Sequence, residues 1–166
     1  MYFDTDVEVI RPLDDLIARG PFMGCERDAA GAAAPFVAPG LGLGVNPGLP
    51  LYGELLALYA GLHFQRPDGS LDLKTVVEYT TELLCRHGLR AEGGVQQVAG
   101  VWVYPQAYFC PVSVVDGKLR VTAETRTIHH YAQSWLPLWR QWARRVVLAV
   151  GGARLKLFLK RTVLRK

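Results

Sequence analysis

The chain has 166 residues, half of them apolar, which is enough for one domain with a buried core and argues against intrinsic disorder. Its three cysteines are far apart, without a Cys-x-x-Cys pair, so we expect reduced thiols, as in a cytoplasmic protein. No charged-then-apolar leader opens the chain, so a signal peptide is not predicted. The net charge of +4 is uneven: residues 1–124 hold all 15 acidic and 9 of the 19 basic residues, whereas residues 125–166 hold the other 10 basic residues and no acidic one.

The first predicted element is a strand over residues 2–10, where apolar and acidic side chains alternate with a period of two. This period puts Asp4 and Asp6 on one face, about 6 to 7 Å apart along the strand. Ionised carboxylates are costly to bury unless they are paired or bound to a metal, so two of them in a strand need a reason. They can converge on one divalent cation where the strand ends. An Asp-x-Asp pattern alone is common by chance and carries little weight.

The middle of the chain alternates between buried loops, helices and strands. Residues 29–53 contain no charged side chain, but their prolines and glycines exclude a membrane-spanning helix. We interpret them as a buried loop and short strand close to an active centre. The predicted elements are a turn or helix start over 11–17, a strand over 36–45, helices over 51–59 and 73–87, and a strand over 101–105.

Two adjacent histidines, His129 and His130, lie in an extended stretch and form the second candidate for metal chemistry. Neutral imidazole is a common ligand for manganese and zinc, and adjacent strand residues point to opposite faces. Only one of the two histidines can then easily reach a metal held by Asp4 and Asp6. The alternative is a surface pair or a hydrogen-bonded structural pair.

Five sequence blocks in a fixed order resemble one group of enzymes. They are YFDTDVEV at residues 2–9, FMGCE at 22–26, PGLGLG at 39–44 with NPGLPLY at 46–52, VYPQAYFCP at 103–111 and IHHYAQSW at 128–135. Together they resemble bacterial glycosyltransferases with a DXD sugar-binding region. That group is related to capsular polysaccharide transferases and yeast initiating mannosyltransferases, with the clostridial glucosylating toxins as distant relatives.

The resemblance implies an α/β fold of the GT-A type, with a mixed sheet and flanking helices, and a metal-dependent, retaining sugar transfer. The donor would be a nucleotide-sugar, usually a UDP-sugar, with Mn²⁺ or Mg²⁺ on its diphosphate, and the acceptor a cell-surface glycan or glycolipid. Asp4 would face the ribose and the metal, and Asp6 would bind the metal directly. His129 would be the third ligand, with His130 as the fallback.

The resemblance also implies roles for three further residues. Ser134 and Trp135 would close over the leaving diphosphate. Glu26 is the candidate on the acceptor side, with a purely structural role as the alternative. Ala107 stands where the family often has an acidic residue, so no role is expected there.

Family members carry a Ser-Asp-x-x-Arg helix and a Gly-Gly turn before the Asp-x-Asp strand, and this chain begins after that point. We therefore expect residues 1–134 to be the C-terminal two-thirds of a GT-A domain that lacks its N-terminal strands. Residues 135–166 are expected to form basic amphipathic helices.

The basic tail supports a competing function. Trp135, Trp139, Trp142 and Val146 recur at helical spacing among arginines, a pattern typical of a helix lying on an anionic membrane surface. Packing of the same stripe on the domain is the alternative. An inactive fragment that acts at most as a membrane-surface module, peripheral on the inner membrane, is the second functional hypothesis. Nucleic-acid binding is disfavoured, because no aromatic-basic stacking platform or DNA-reading helix is recognisable.

Overall fold

The computed structural model describes residues 1–28, 34–112 and 118–132. Ten elements follow one another in the order β1 (Val7–Val9), α1 (Asp14–Arg19), β2 (Phe22–Arg27), β3 (Phe36–Gly44), α2 (Pro50–Ala60), α3 (Val76–Arg86), β4 (Gln96–Val98), β5 (Val101–Tyr104), α4 (Gln106–Phe109) and β6 (Thr127–His129). Ser134, Trp135 and the basic tail lie outside the described residues.

The main sheet has four strands in the order β3-β2-β5-β4. Strand β2 runs antiparallel to β3 and parallel to β5, and β4 is antiparallel to β5, so the sheet is mixed. Strands β1 and β6 form a separate antiparallel pair that places Val7 opposite His129. The predicted α/β class with a mixed sheet and flanking helices is confirmed.

The sheet separates two hydrophobic clusters, because successive residues of a strand point to opposite faces. On one face, Met23 and Val103 pack with Leu51 of α2 and with Leu83 and Leu84 of α3. The other face is covered by α1 and α4, through buried side chains that include Leu16, Phe22, Tyr104 and Phe109. Both faces of the sheet are therefore covered by helices.

The predicted strand over residues 2–10 is wrong in its middle. Tyr2 forms an isolated antiparallel bridge to Leu43 at the edge of the main sheet, and only Val7–Val9 is a strand. Between them the chain turns, with the Val7 amide donating to the Asp4 carbonyl over 3.1 Å. The two halves of the segment pair with different strands, so the chain must bend where the aspartates lie.

The second long helix starts three residues later than predicted, at Val76 instead of residue 73. Thr75 caps its first turn: the Thr75 hydroxyl accepts from the Glu78 amide, and the Glu78 carboxylate accepts from the Thr75 amide over 2.7 Å. This reciprocal capping box satisfies two amides that a helix start would leave unpaired. The start of α3 is thus fixed by the cap, rather than by the apolar stripe that follows it.

Two simpler expectations can be compared with the structure. Cys25, Cys85 and Cys110 are all free, which confirms the prediction of unpaired thiols. Among the described residues, no helix is both long and apolar enough to cross a membrane.

Candidate metal centre

The candidate centre lies where the first residues of the chain pass from one sheet to the other. The Asp4 amide donates to the carbonyl of Gly40 over 2.8 Å, which holds Asp4 beside β3. After the turn, β1 aligns with β6 and brings Asp6 next to the end of that strand, where the His130 amide donates to the Asp6 carbonyl over 3.0 Å. Backbone pairing alone therefore delivers two carboxylates to the imidazole of His129.

Asp4, Asp6 and His129 form the candidate centre. The Nε2 atom of His129 lies 3.1 Å from Oδ1 of Asp6 and 3.7 Å from Oδ2 of Asp4. One potential ligand atom from each of the three residues lies within 4.8 Å of the other two. The His129 side chain is only 10% exposed, whereas that of Asp4 is 42% exposed, so the centre opens to solvent on the Asp4 side.

Each carboxylate is oriented by a hydrogen bond to its other oxygen. The Tyr2 hydroxyl donates to Oδ1 of Asp4 over 2.8 Å, and this bond raises the pKa of the Tyr2 phenol above its ordinary value. The Ala132 amide donates to Oδ2 of Asp6 over 2.8 Å. The remaining oxygens, Oδ2 of Asp4 and Oδ1 of Asp6, are the ones directed at His129.

Gly40 makes the room that Asp4 needs. A Cβ atom at this position would lie 2.9 Å from Oδ1 of Asp4 and closer still to Oδ2, nearer than carbon and oxygen normally approach. The Asp4 carboxylate therefore packs directly over the backbone of β3. Any side chain at residue 40 would displace it.

The three residues fit a divalent cation. Ligands about 2.1 to 2.4 Å from one octahedral ion are about 3.0 to 3.4 Å apart at neighbouring positions. The observed separations of 3.1 and 3.7 Å are close to that spacing. Two carboxylates and one neutral imidazole suit Mn²⁺, and the carboxylates also suit Mg²⁺. The same 3.1 Å contact would serve a structural hydrogen bond between His129 and Asp6, so a metal at this place remains a prediction.

His130 points away from the centre. Its Nε2 atom lies 2.9 Å from Oε2 of Glu8 on the exposed side of the β1–β6 pair. The two histidines thus face opposite sides of the strand, as the alternation of side chains requires. The structure brings His129, and not His130, to the two aspartates.

Glu26 lies on β2, and its contacts lead back toward the centre through Tyr131. The Tyr131 hydroxyl is 3.1 Å from the sulfur of Cys110. Burial raises the pKa of the Tyr131 phenol well above its ordinary value, and the Cys110 thiol and the nearby Glu26 carboxylate raise it further. The Tyr131 ring packs edge-to-face on the His129 ring, with centroids 4.1 Å apart. Glu26 is therefore separated from the centre by one aromatic side chain.

Sequence reasoning missed three residues that shape the centre: Tyr2, Gly40 and Tyr131. Tyr131 follows the two histidines directly, but nothing in the sequence shows on which ring it packs. Gly40 belongs to the run of alternating glycines at residues 40–44, a signal for close approach of another group to a strand.

Comparison of the chain with protein-family models, with curated proteins and with solved structures found no match.

Proposed function

We propose that the chain is a metal-dependent glycosyltransferase domain that takes a sugar from a nucleotide-sugar donor, with a UDP-sugar as the first candidate. The observation that carries this proposal is the convergence of Asp4, Asp6 and His129, from opposite ends of the described chain, on one partly exposed point. The order of the five sequence blocks adds support. The finer assignment of the mixed α/β fold to the GT-A type belongs to the same proposal.

The chain's own residues would hold the donor's charged part. A divalent cation at this centre would supply positive charge to a leaving diphosphate. Asp4, Asp6 and His129 would bind that cation, while Tyr2 and the Ala132 amide keep the carboxylates oriented. Solvent access on the Asp4 side leaves room for the diphosphate oxygens.

Glu26 would face the acceptor, a glycan or glycolipid, from the far side of Tyr131. This placement is supported by two contacts of Tyr131, whose hydroxyl end lies near the Glu26 carboxylate and whose ring packs on the imidazole of His129. Glu26→Gln would then slow transfer to an acceptor and leave Mn²⁺ affinity unchanged. Equal transfer rates in wild type and this variant would remove Glu26 from the proposal.

The metal part is tested by titrating Mn²⁺ calorimetrically into the full chain, with and without UDP. We expect UDP to tighten Mn²⁺ binding, because the ion and the diphosphate each complete the other's ligands. Asp6→Asn, which keeps an acceptor for the Ala132 amide, should weaken binding by at least about a hundredfold, and His129→Gln by at least about tenfold. His130→Gln is the matched control, because the His130 side chain pairs with the exposed Glu8 and the substitution leaves the backbone bond from the His130 amide to Asp6 in place, and it should bind as wild type does.

The same proteins should show the reaction. With Mn²⁺ present and water as the acceptor of the sugar, wild type and His130→Gln should hydrolyse one member of a panel of UDP-sugars to UDP and free sugar, whereas Asp6→Asn should not. If wild type and Asp6→Asn bind Mn²⁺ equally in the presence of UDP, the centre is a structural His–Asp contact and the proposed function is wrong.

The basic charge of residues 125–166 supports a location at an anionic membrane surface. At about 1 kcal/mol for each basic residue near such a surface, three or four engaged side chains would give measurable attachment. The full chain should sediment with vesicles of anionic lipid at low salt and not with neutral vesicles. Equal sedimentation with both would contradict this location.

A further inference from the structure

Tyr131 has an unusual backbone for an aromatic residue. Its φ angle is +50°, in the left-handed region, and among the described non-glycine residues only Ala99 shares this feature. A bulky side chain seldom adopts this conformation unless its surroundings enforce it, and such residues cluster at functional sites. Tyr131 lies between β6 and the Ala132 amide that binds Asp6, so its conformation bears directly on the candidate centre.

The left-handed turn at Tyr131 places two amides on the same aspartate. His130 precedes Tyr131, and its amide donates to the Asp6 carbonyl over 3.0 Å. Ala132 follows Tyr131, and its amide donates to Oδ2 of Asp6 over 2.8 Å. An extended backbone at Tyr131 would carry Ala132 onward along β6 and away from the Asp6 carboxylate.

The side chain of Tyr131 acts on a different residue of the centre, His129. A metal-bound histidine is normally oriented by a hydrogen bond from its second ring nitrogen. Here Nδ1 of His129 is buried and has no hydrogen-bond partner among the described residues. The Tyr131 ring instead packs against the imidazole at 83° with centroids 4.1 Å apart. Its hydroxyl end is held at Cys110, 3.1 Å away.

We infer that Tyr131 is the positioning residue of the centre: its ring fixes the imidazole of His129 by packing, and its left-handed backbone fixes the carboxylate of Asp6. This inference rests on the proposed metal centre. It assigns to an aromatic ring the orienting role that a carboxylate or carbonyl usually has at a metal-binding histidine. The Tyr131 side chain itself does not contact the cation.

Two substitutions of Tyr131 distinguish the contribution of its ring from that of its hydroxyl, and both place a non-glycine residue in the same left-handed conformation. Tyr131→Phe keeps the ring and loses the hydroxyl, whereas Tyr131→Leu loses the ring, and both variants carry a non-glycine residue at φ +50°. With Mn²⁺ alone as the probe, we expect Tyr131→Leu to bind at least about tenfold more weakly than wild type and Tyr131→Phe within about threefold of it.

Pulsed electron paramagnetic resonance of bound Mn²⁺ gives a readout that a loss of stability would not produce. Wild type and Tyr131→Phe should show nitrogen hyperfine coupling from His129. Tyr131→Leu should show Mn²⁺ held by the carboxylates, with this coupling weak or absent. Tyr131→Gly is the second ring-free variant, since glycine adopts the left-handed backbone without strain and keeps the Ala132 amide on Asp6. It should likewise bind Mn²⁺ with little or no nitrogen coupling.

A metal-free measurement completes the test. In the NMR spectrum of the protein without metal, the His129 ring protons should be shifted by the Tyr131 ring in wild type and Tyr131→Phe, and not in Tyr131→Leu or Tyr131→Gly. If wild type binds no Mn²⁺, the proposed function and this inference both fail. If wild type binds Mn²⁺ and Tyr131→Gly keeps full nitrogen coupling, the inference alone is overturned and the metal centre stands.

Discussion

Replacing Gly40 with alanine is expected to disable the candidate centre without unfolding the protein. The added methyl group would lie 2.9 Å from Oδ1 and 2.7 Å from Cγ of Asp4, and closer than either to Oδ2. An ordinary contact needs about 3.4 Å or more, so the carboxylate must move by roughly 1 Å. Because the Asp4 side chain is 42% exposed, it can rotate toward solvent, and the cost to folding should be small.

The expected size of the effect follows from the role of Gly40. Gly40 holds no potential ligand atom but sets the position of the proposed ligand Asp4, and residues of that kind change metal affinity by about 10- to 100-fold. This range corresponds to about 1.4 to 2.8 kcal/mol of binding free energy. Calorimetric titration of Mn²⁺ in the presence of UDP measures it directly, and thermal unfolding monitored by circular dichroism measures stability.

Gly42→Ala is the matched control, because residues 40 and 42 lie two positions apart on β3 and an added methyl group at either would meet a side chain. A methyl group at Gly42 would meet the rings of Phe109 and Phe3 first, at 2.9 Å, whereas one at Gly40 would meet the Asp4 carboxylate first. Overpacking of this kind costs about 1 to 3 kcal/mol. Gly42→Ala should therefore lower stability and leave Mn²⁺ affinity unchanged. Gly40→Ala should lower Mn²⁺ affinity with little loss of stability. If both variants bind Mn²⁺ as wild type does, Asp4 is not a ligand.

Two further predictions concern the core. Burial, with the Asp28 charge as a smaller cause, raises the pKa of the Cys25 thiol from 9.0 to about 12, so its contribution to stability is full below about pH 9 and is lost as the pH rises toward 12. Between about pH 8 and pH 10, urea unfolding should show wild type losing about 1 kcal/mol more than Cys25→Ala, and equal losses would contradict the burial argument. Thr81→Val removes the hydroxyl that accepts from the buried Val37 amide over 2.9 Å and should cost about 1 to 3 kcal/mol. Thr80→Val is its control, since the buried Thr80 hydroxyl has no partner in the described chain, and this change should be neutral or stabilising; equal costs for the two variants would refute the assignment.

Local sequence patterns predicted β3, β5, α2 and α3, because those patterns reflect local geometry, but no pattern predicted β2, β4 or α4. The strand that became β3 was expected over 36–45 and runs over Phe36–Gly44. The helix expected over 51–59 runs over Pro50–Ala60. The prediction of one strand over residues 2–10 was wrong because the two halves of this segment pair with different partners. The alternation of side chains carries no information about the partner of a strand.

At the candidate centre, too, local sequence features were predictable and contacts between distant residues were not. The chemistry of Asp4, Asp6 and His129 was visible in the sequence, since carboxylate and imidazole are metal ligands wherever they occur. The supports of the centre were not visible. The roles of Gly40 and Tyr131 depend on a contact with a residue distant in sequence and on a φ angle that aromatic residues rarely adopt. Neither leaves a periodic pattern in the sequence.

The pairing of β1 with β6 closes a very long loop. Asp6 and Ala132, which share a hydrogen bond, are 126 positions apart along the chain. Closing such a loop costs conformational entropy before any contact repays it, so this pairing should form after the four-stranded sheet has assembled. A chain with a complete main sheet but a detached N-terminal segment would hold His129 without either aspartate. Binding of a cation at this point would then distinguish fully folded molecules from nearly folded ones.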